Sequence, residues 1–113
     1  MIKEDLPFVE HILDSINAIG EFSKNMKRGE LNSNRLKQSA IVREIEIIGE
    51  AVKNISEKTK EKFKEVEWKK IAGTRDKMIH HYFGVDLDIV WEIIKKEIPL
   101  LKKQVEKLKL ALV

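Results

Sequence analysis

Apolar residues recur along this chain three and four positions apart rather than in alternation, the spacing of helices that bury one face. Phe8, Ile12, Ile16, Ile19 and Phe22 mark a first helix over about residues 5–25, with Pro7 in its first turn, where a missing N–H has no helical partner to lose. Residues 25–34 read as a polar connection. A second helix over about residues 33–55 carries a stripe of Ile41, Ile45, Ile48, Val52 and Ile55, widened by Leu36, Ala40, Ile47 and Ala51. That is more than one buried face requires. Either the core face is broad or a second surface meets a partner protomer. Gly49 supports the partner, because a mid-helix glycine costs about 1 kcal/mol relative to alanine and is usually kept where another backbone comes close.

From residue 56 to 67 the pattern dissolves into charges around Phe63 and Val66, so a loop or a short helix near Lys60 is expected. Trp68 opens a third helix with Ile71, Met78 and Ile79 as its apolar positions, ending near residues 82–84. Asp86 is a suitable N-cap for a fourth helix, whose buried side is Leu87, Val90, Trp91, Ile94, Ile98, Leu101, Val105 and Leu108, extending to Leu110. Asp88 and Glu92 suit its positive end and Lys102, Lys103, Lys107 and Lys109 its negative end. Pro99 is expected to kink it. The sum is a single all-α domain over residues 1–113, a four-helix up-and-down bundle with room for an extra short helix.

Composition narrows the picture. Five Gly and two Pro give too little turn punctuation for an all-β fold. Cysteine is absent, which removes disulfides and thiolate metal sites and suits a reducing cytosol. No apolar run approaches the roughly 20 residues needed to cross a bilayer, and the N-terminal residues lack a signal-peptide pattern, so a soluble, cytoplasmic protein is expected. The net charge of +3, from 22 basic and 19 acidic residues, permits attraction to nucleic acid without demanding it.

Candidate chemistry is concentrated between Gly73 and Gly84, where Arg75, Asp76, His80, His81 and Tyr82 lie close together. At about 100° per residue, Arg75 and Tyr82 fall on nearly the same side of a helix, and Asp76 and His80 are neighbours four apart. Arg75 and His80 cannot touch in one straight helix. They converge only if the helix loosens near His80 or if a second protomer supplies the facing residues. Arg75 offers a fork of donors matched to phosphate, and His80 can take or give a proton near neutral pH. Asp76 can orient the imidazole, and Tyr82 can bind substrate or act as a nucleophile toward a modifying enzyme. Such a set could cut RNA without a metal. The plainer alternative is a solvated face with surface ion pairs worth about 0 to 1 kcal/mol. A metal site is not expected, because adjacent histidines diverge by about 100° on a helix and no third ligand is positioned. His11 reads as a half-buried or surface histidine, and Trp68 and Trp91 as core anchors.

The pattern Arg75, four residues, His80, one residue, Tyr82 resembles the Arg-x-x-x-x-His-x-Tyr motif of HepT-like proteins in the HEPN superfamily. Glu46-Ile47-Ile48-Gly49-Glu50-Ala51-Val52-Lys53 is similar to that family's second-helix motif, and Trp68 to Arg75 to its approach to the site. Tyr82 to Asp86, followed by Ile89, Val90 and Trp91, is similar to its exit. The resemblance implies an all-α HEPN fold that dimerises with both motifs facing one cleft, and metal-independent RNA cleavage that needs Arg75 and His80. It implies no cofactor. It also implies a partner, the MntA-like nucleotidyltransferase antitoxin, which neutralises the toxin by transferring AMP from ATP to Tyr82. Two residues depart from the family pattern: Asp76 stands where asparagine is common, and His81 where aspartate is common. The rival readings are a non-catalytic helical module that binds a nucleotidyltransferase or nucleic acid, and a tyrosine switch on a vestigial nuclease.

Overall fold

In the computed structural model, residues 3–80 and 84–112 are described, with the side chain of His80 outside that description. A 3-10 turn, Lys3–Asp5, leads into α1, Leu6–Phe22, and a short α2, Arg28–Ser33, precedes the long α3, Arg35–Lys53. Three short helices follow: α4, Glu57–Lys62; α5, Trp68–Ala72; and α6, Thr74–Met78. A two-residue hairpin pairs β1, Ile79–His80, with β2, Gly84–Val85, antiparallel. The chain closes with α7, Leu87–Glu92, a π-helical segment, Ile93–Glu97, and α8, Ile98–Leu112.

Burial follows the helical stripes. Ile12, Ile16 and Ile19 of α1 meet Ile41, Ile45, Ile48 and Val52 of α3, and α8 closes the core with Ile98, Leu101, Val105 and Leu108. The all-α bundle expected from periodicity is therefore the architecture found, with α1 against α3 as its main contact. Asn34 caps α3 by accepting from Lys37 N–H at 3.0 Å, and Asp86 caps α7 through Asp88 and Ile89 N–H at 3.1 and 3.2 Å. Both satisfy amides that a helix start leaves without partners.

Several expectations change. The connection over 25–34 contains α2, because Met26 and Leu31 are buried and pin it to the core, a signal too short to register as periodicity. Arg28 ties this helix to Asp88 at the start of α7. The third helix is not continuous. It breaks at Gly73 and stops at Met78, after which Ile79 is extended at φ −102° and ψ 116°. Ile79 faces Val85 and His80 faces Gly84, whose φ of +76° suits glycine, and Asp86 N–H donates to Met78 O at 2.7 Å. Cross-strand bonds thus take over where helical ones end. Leu110 and Leu36 are exposed, at 76% and 81%, while Ile93 and Leu112 are buried instead. At Pro99 the backbone answers with the π segment just before it, where the proline ring would otherwise crowd the Lys95 carbonyl.

Gly49 lies against the chain's own backbone. A Cβ there would make ordinary contact, 3.4 Å from the Ile71 carbonyl oxygen and 3.6 Å from that of Ala72, so the neighbour is α5 and a methyl group would fit. The glycine gives no support for a partner protomer. The widened stripe on α3 divides accordingly, with Ala51 buried, Ala40 and Ile47 half-buried and Leu36 in solvent.

One buried carboxylate ties the first residues to the start of α4. Asp5 is 3% exposed and accepts from Ser56 N–H at 3.0 Å, Ser56 Oγ at 2.6 Å and Thr59 Oγ1 at 2.5 Å. Burial by itself raises its pKa, but the hydrogen bonds from Ser56 and Thr59, with the charge of Lys60, outweigh it and leave the value below the ordinary one. Since the folded-state value lies below the unfolded one, the stabilisation is fully present above the unfolded pKa of about 3.9 and is lost as pH falls through the folded value. Asp5→Ala strands three donors, so we expect it to destabilise the fold by about 2–3 kcal/mol at pH 7. In urea unfolding, the gap between wild type and Asp5→Asn should narrow once the pH drops below about 4.

Candidate functional site

Trp68, buried at the start of α5, donates Nε1–H to the Phe63 carbonyl at 3.0 Å and fixes where α5 begins. The Gly49 contact then seats the far end of α5 on α3. Gly73 turns the chain into α6, which carries Arg75 out over the polar edge of α3. There Arg75 Nε donates to Glu46 Oε2 at 2.9 Å. The Arg75 side chain is 60% exposed and that of Glu46 26%. So exposed a pair adds little stability, about 0 to 1 kcal/mol. Its effect is orientation: the carboxylate holds one edge of the guanidinium, and the two terminal nitrogens at its other end can meet a phosphate.

Asp76 lies next to Arg75 on α6, exposed, and no ion pair engages it among the described residues. His80 sits on β1, so the four-residue helical spacing that paired it with Asp76 does not apply. The helix ends before His80, which is the loosening under which Arg75 and His80 can converge. The direction of the His80 imidazole, and all of His81, Tyr82 and Phe83, lie outside the described residues.

Arg75 and Glu46 open onto a groove of about 440 Å³ between α1, α3 and α6, which also involves Phe8, His11, Arg43 and Glu50. Sequence reasoning gave Glu46, Arg43 and His11 no part in a site. Glu46 falls three residues after Arg43 and three before Gly49, but nothing in the sequence places Arg75 above it. A more enclosed cavity of about 90 Å³ lies elsewhere, among Ile45, Ile48, Ile71, Ile93, Ile98 and Leu101. Its rim is closed by Lys70, 2.7 Å from Glu97 and 3.6 Å from Glu67, and Glu97, then Glu67, raises the lysine's pKa. Its walls are mostly apolar, and its lysine is already held by Glu97 and Glu67. Among the described residues no three His, Asp or Glu side chains gather as a metal site. Trp91 is half-buried with Lys95 Nζ 4.7 Å above its ring.

The model of the ribonuclease HepT-like family matches residues 12–108. The chain belongs to the HepT-like family. A protein of Caldanaerobacter subterraneus subsp. tengcongensis, provisionally named an RNase, is 46% identical over 107 residues, 95% of this chain and 96% of the relative. A protein of Thermococcus cleftensis named "Probable ribonuclease HepT" is 40% identical over 109 residues, covering 96% of this chain and 99% of the relative. A third relative, from Methanocaldococcus jannaschii, is named a gamma-glutamylcyclotransferase and, provisionally, an RNase; identity is 42% over 108 residues, 96% of this chain. The HepT-like chain spans about half, 49%, of that relative's length. No solved structure matches the chain. Family and relatives together support a ribonuclease function. No helix among the described residues is long and apolar enough to cross a membrane.

If Glu46 aims the guanidinium, Glu46→Ala should leave thermal stability within about 1 kcal/mol of wild type. It should lower kcat for RNA cleavage roughly 10- to 100-fold, since misplacing a charge-stabilising group costs rate more than binding. Glu46→Gln, which keeps an acceptor for Nε–H, should recover part of the loss. An unchanged kcat in Glu46→Ala removes the positioning role.

Proposed function

We propose that this chain is the toxin of a toxin–antitoxin pair, a metal-independent endoribonuclease that works in the cytoplasm as a homodimer. The observation that carries the reading is the Arg75 fork, held by Glu46 at 2.9 Å over an open groove, in a chain matched to the ribonuclease HepT-like family over residues 12–108. Arg75 binds the scissile phosphate and stabilises the charge that builds on it. His80 takes the proton of the ribose 2′-hydroxyl as that oxygen attacks phosphorus, or protonates the departing 5′-oxygen. The P–O5′ bond breaks as the P–O2′ bond forms, leaving a 2′,3′-cyclic phosphate and a 5′-hydroxyl, and no metal is required for the proton balance. Asp76 serves the imidazole from α6. Leu36 on α3, 81% exposed, is apolar surface that a second copy would cover.

Neutralisation follows from the same anion chemistry. A nucleotidyltransferase antitoxin joins the Tyr82 hydroxyl to the α-phosphate of ATP and releases pyrophosphate. The new phosphodiester, seven residues from Arg75, competes with RNA for the guanidinium.

Purified protein should cleave RNA in excess chelator, and His80→Ala should abolish the cleavage; equal rates in the two proteins reject the catalytic assignment. After incubation with ATP and the nucleotidyltransferase, intact mass should rise by one adenylate on wild type and stay unchanged on Tyr82→Phe. The same gain on both proteins moves the modification to another residue, and no gain on wild type removes this mode of control.

A further inference from the structure

The groove beside Arg75 has features that cleavage at one phosphate does not use. Arg43, Glu46, Ile47 and Glu50 follow one another at helical spacing along one face of α3, and Phe8 and His11, three apart on α1, line the opposite wall. The carboxylates there are already matched: Glu46 holds Arg75 at 2.9 Å, and Glu50 lies 3.3 Å from Lys53 Nζ. Arg43, although three residues from Glu46, is exposed and makes no ion pair among the described residues. A free guanidinium therefore stands in the same groove as the one assigned to the scissile phosphate. Phe8, Ile47 and Ala51 give the groove apolar wall, and its volume of about 440 Å³ falls within the range of small-ligand sites, ample for one nucleotide.

We propose that this groove is a subsite for the nucleotide adjoining the cleaved bond, with Arg43 on its phosphate and Phe8 and Ile47 beneath its base or ribose. The inference rests on the ribonuclease reading and deepens it. Single-stranded RNA is the substrate class that fits, because only an unstacked nucleotide can turn its base onto an apolar wall while its phosphate stays at the rim.

The test uses His80→Ala protein, which binds without cutting, and a fluorescein-labelled single-stranded RNA followed by anisotropy across a salt series. Arg43→Ala in that background should weaken binding about 3- to 10-fold and reduce the slope of log affinity against log salt by about 0.7, the loss of one phosphate contact on a single strand. Arg43→Lys should restore most of the slope. Lys109→Ala, on α8 and outside the groove, should leave it unchanged. An unaltered slope in Arg43→Ala overturns the subsite, and so does an equal fall in Lys109→Ala, which would mean diffuse attraction. A loss of binding that tracks dissociation of a dimer in sedimentation also overturns it, since the groove would then be covered by a second copy. Cleavage by otherwise wild-type protein reports separately on the reading beneath: His80-dependent cleavage with an unaffected Arg43→Ala slope removes only the subsite, whereas absent cleavage removes the nuclease.

Discussion

The arrangement of this molecule turns on one close approach, the carbonyls of Ile71 and Ala72 lying against Gly49 of α3. Helix α3 is the spine of the bundle, with α1 along one side and the short helices across another. A glycine in its middle costs helical stability, and it stands where α5 seats, with space for a methyl group and little more. A side chain longer than a methyl group would press on α5, and through it on Gly73, α6 and the guanidinium beyond. Core packing and site geometry are thus set by the same few ångströms, and a disturbance in one is transmitted to the other because packed interiors do not deform continuously.

The groove above α3 is organised by charge rather than by burial. Glu46 and Glu50 each take up a cation, and the arrangement sorts the arginines into one held in place and one left free. In water such pairs are weak, but they select among the rotamers of long side chains. An arginine already aimed loses less freedom when an anion arrives.

Much of the bundle was legible because its signal is periodic. Ile12, Ile16 and Ile19, or Ile98, Leu101, Val105 and Leu108, announce a buried face regardless of what covers it. The misreadings share a cause. Leu31 anchors a six-residue helix, Gly73 and Gly84 redirect the chain within a few positions, and Leu110 sits one residue off the buried stripe; these are local choices decided by tertiary contacts, which periodicity averages away. The candidate site divides in the same manner. Arg75, Asp76, His80 and Tyr82 stand out as a dense local motif, while Glu46 and Arg43 share a groove with Arg75 only through the crossing of α6 over α3, where Arg75 meets Glu46, 29 positions away.

The π segment at Ile93–Glu97 bears on how this fold tolerates change in length. A wide turn of this kind holds one residue more than the regular helix it interrupts, while the stretches on either side keep their faces toward the core. Deleting a single position there would tighten the coil to ordinary pitch without rotating Leu101, Val105 and Leu108 away from α1, at the cost of bringing the Pro99 ring back against a carbonyl of the preceding turn. The last helix therefore has one place where its amino-acid count can shrink and the bundle persist, whereas the same deletion a turn later would swing its apolar side by about 100° into solvent.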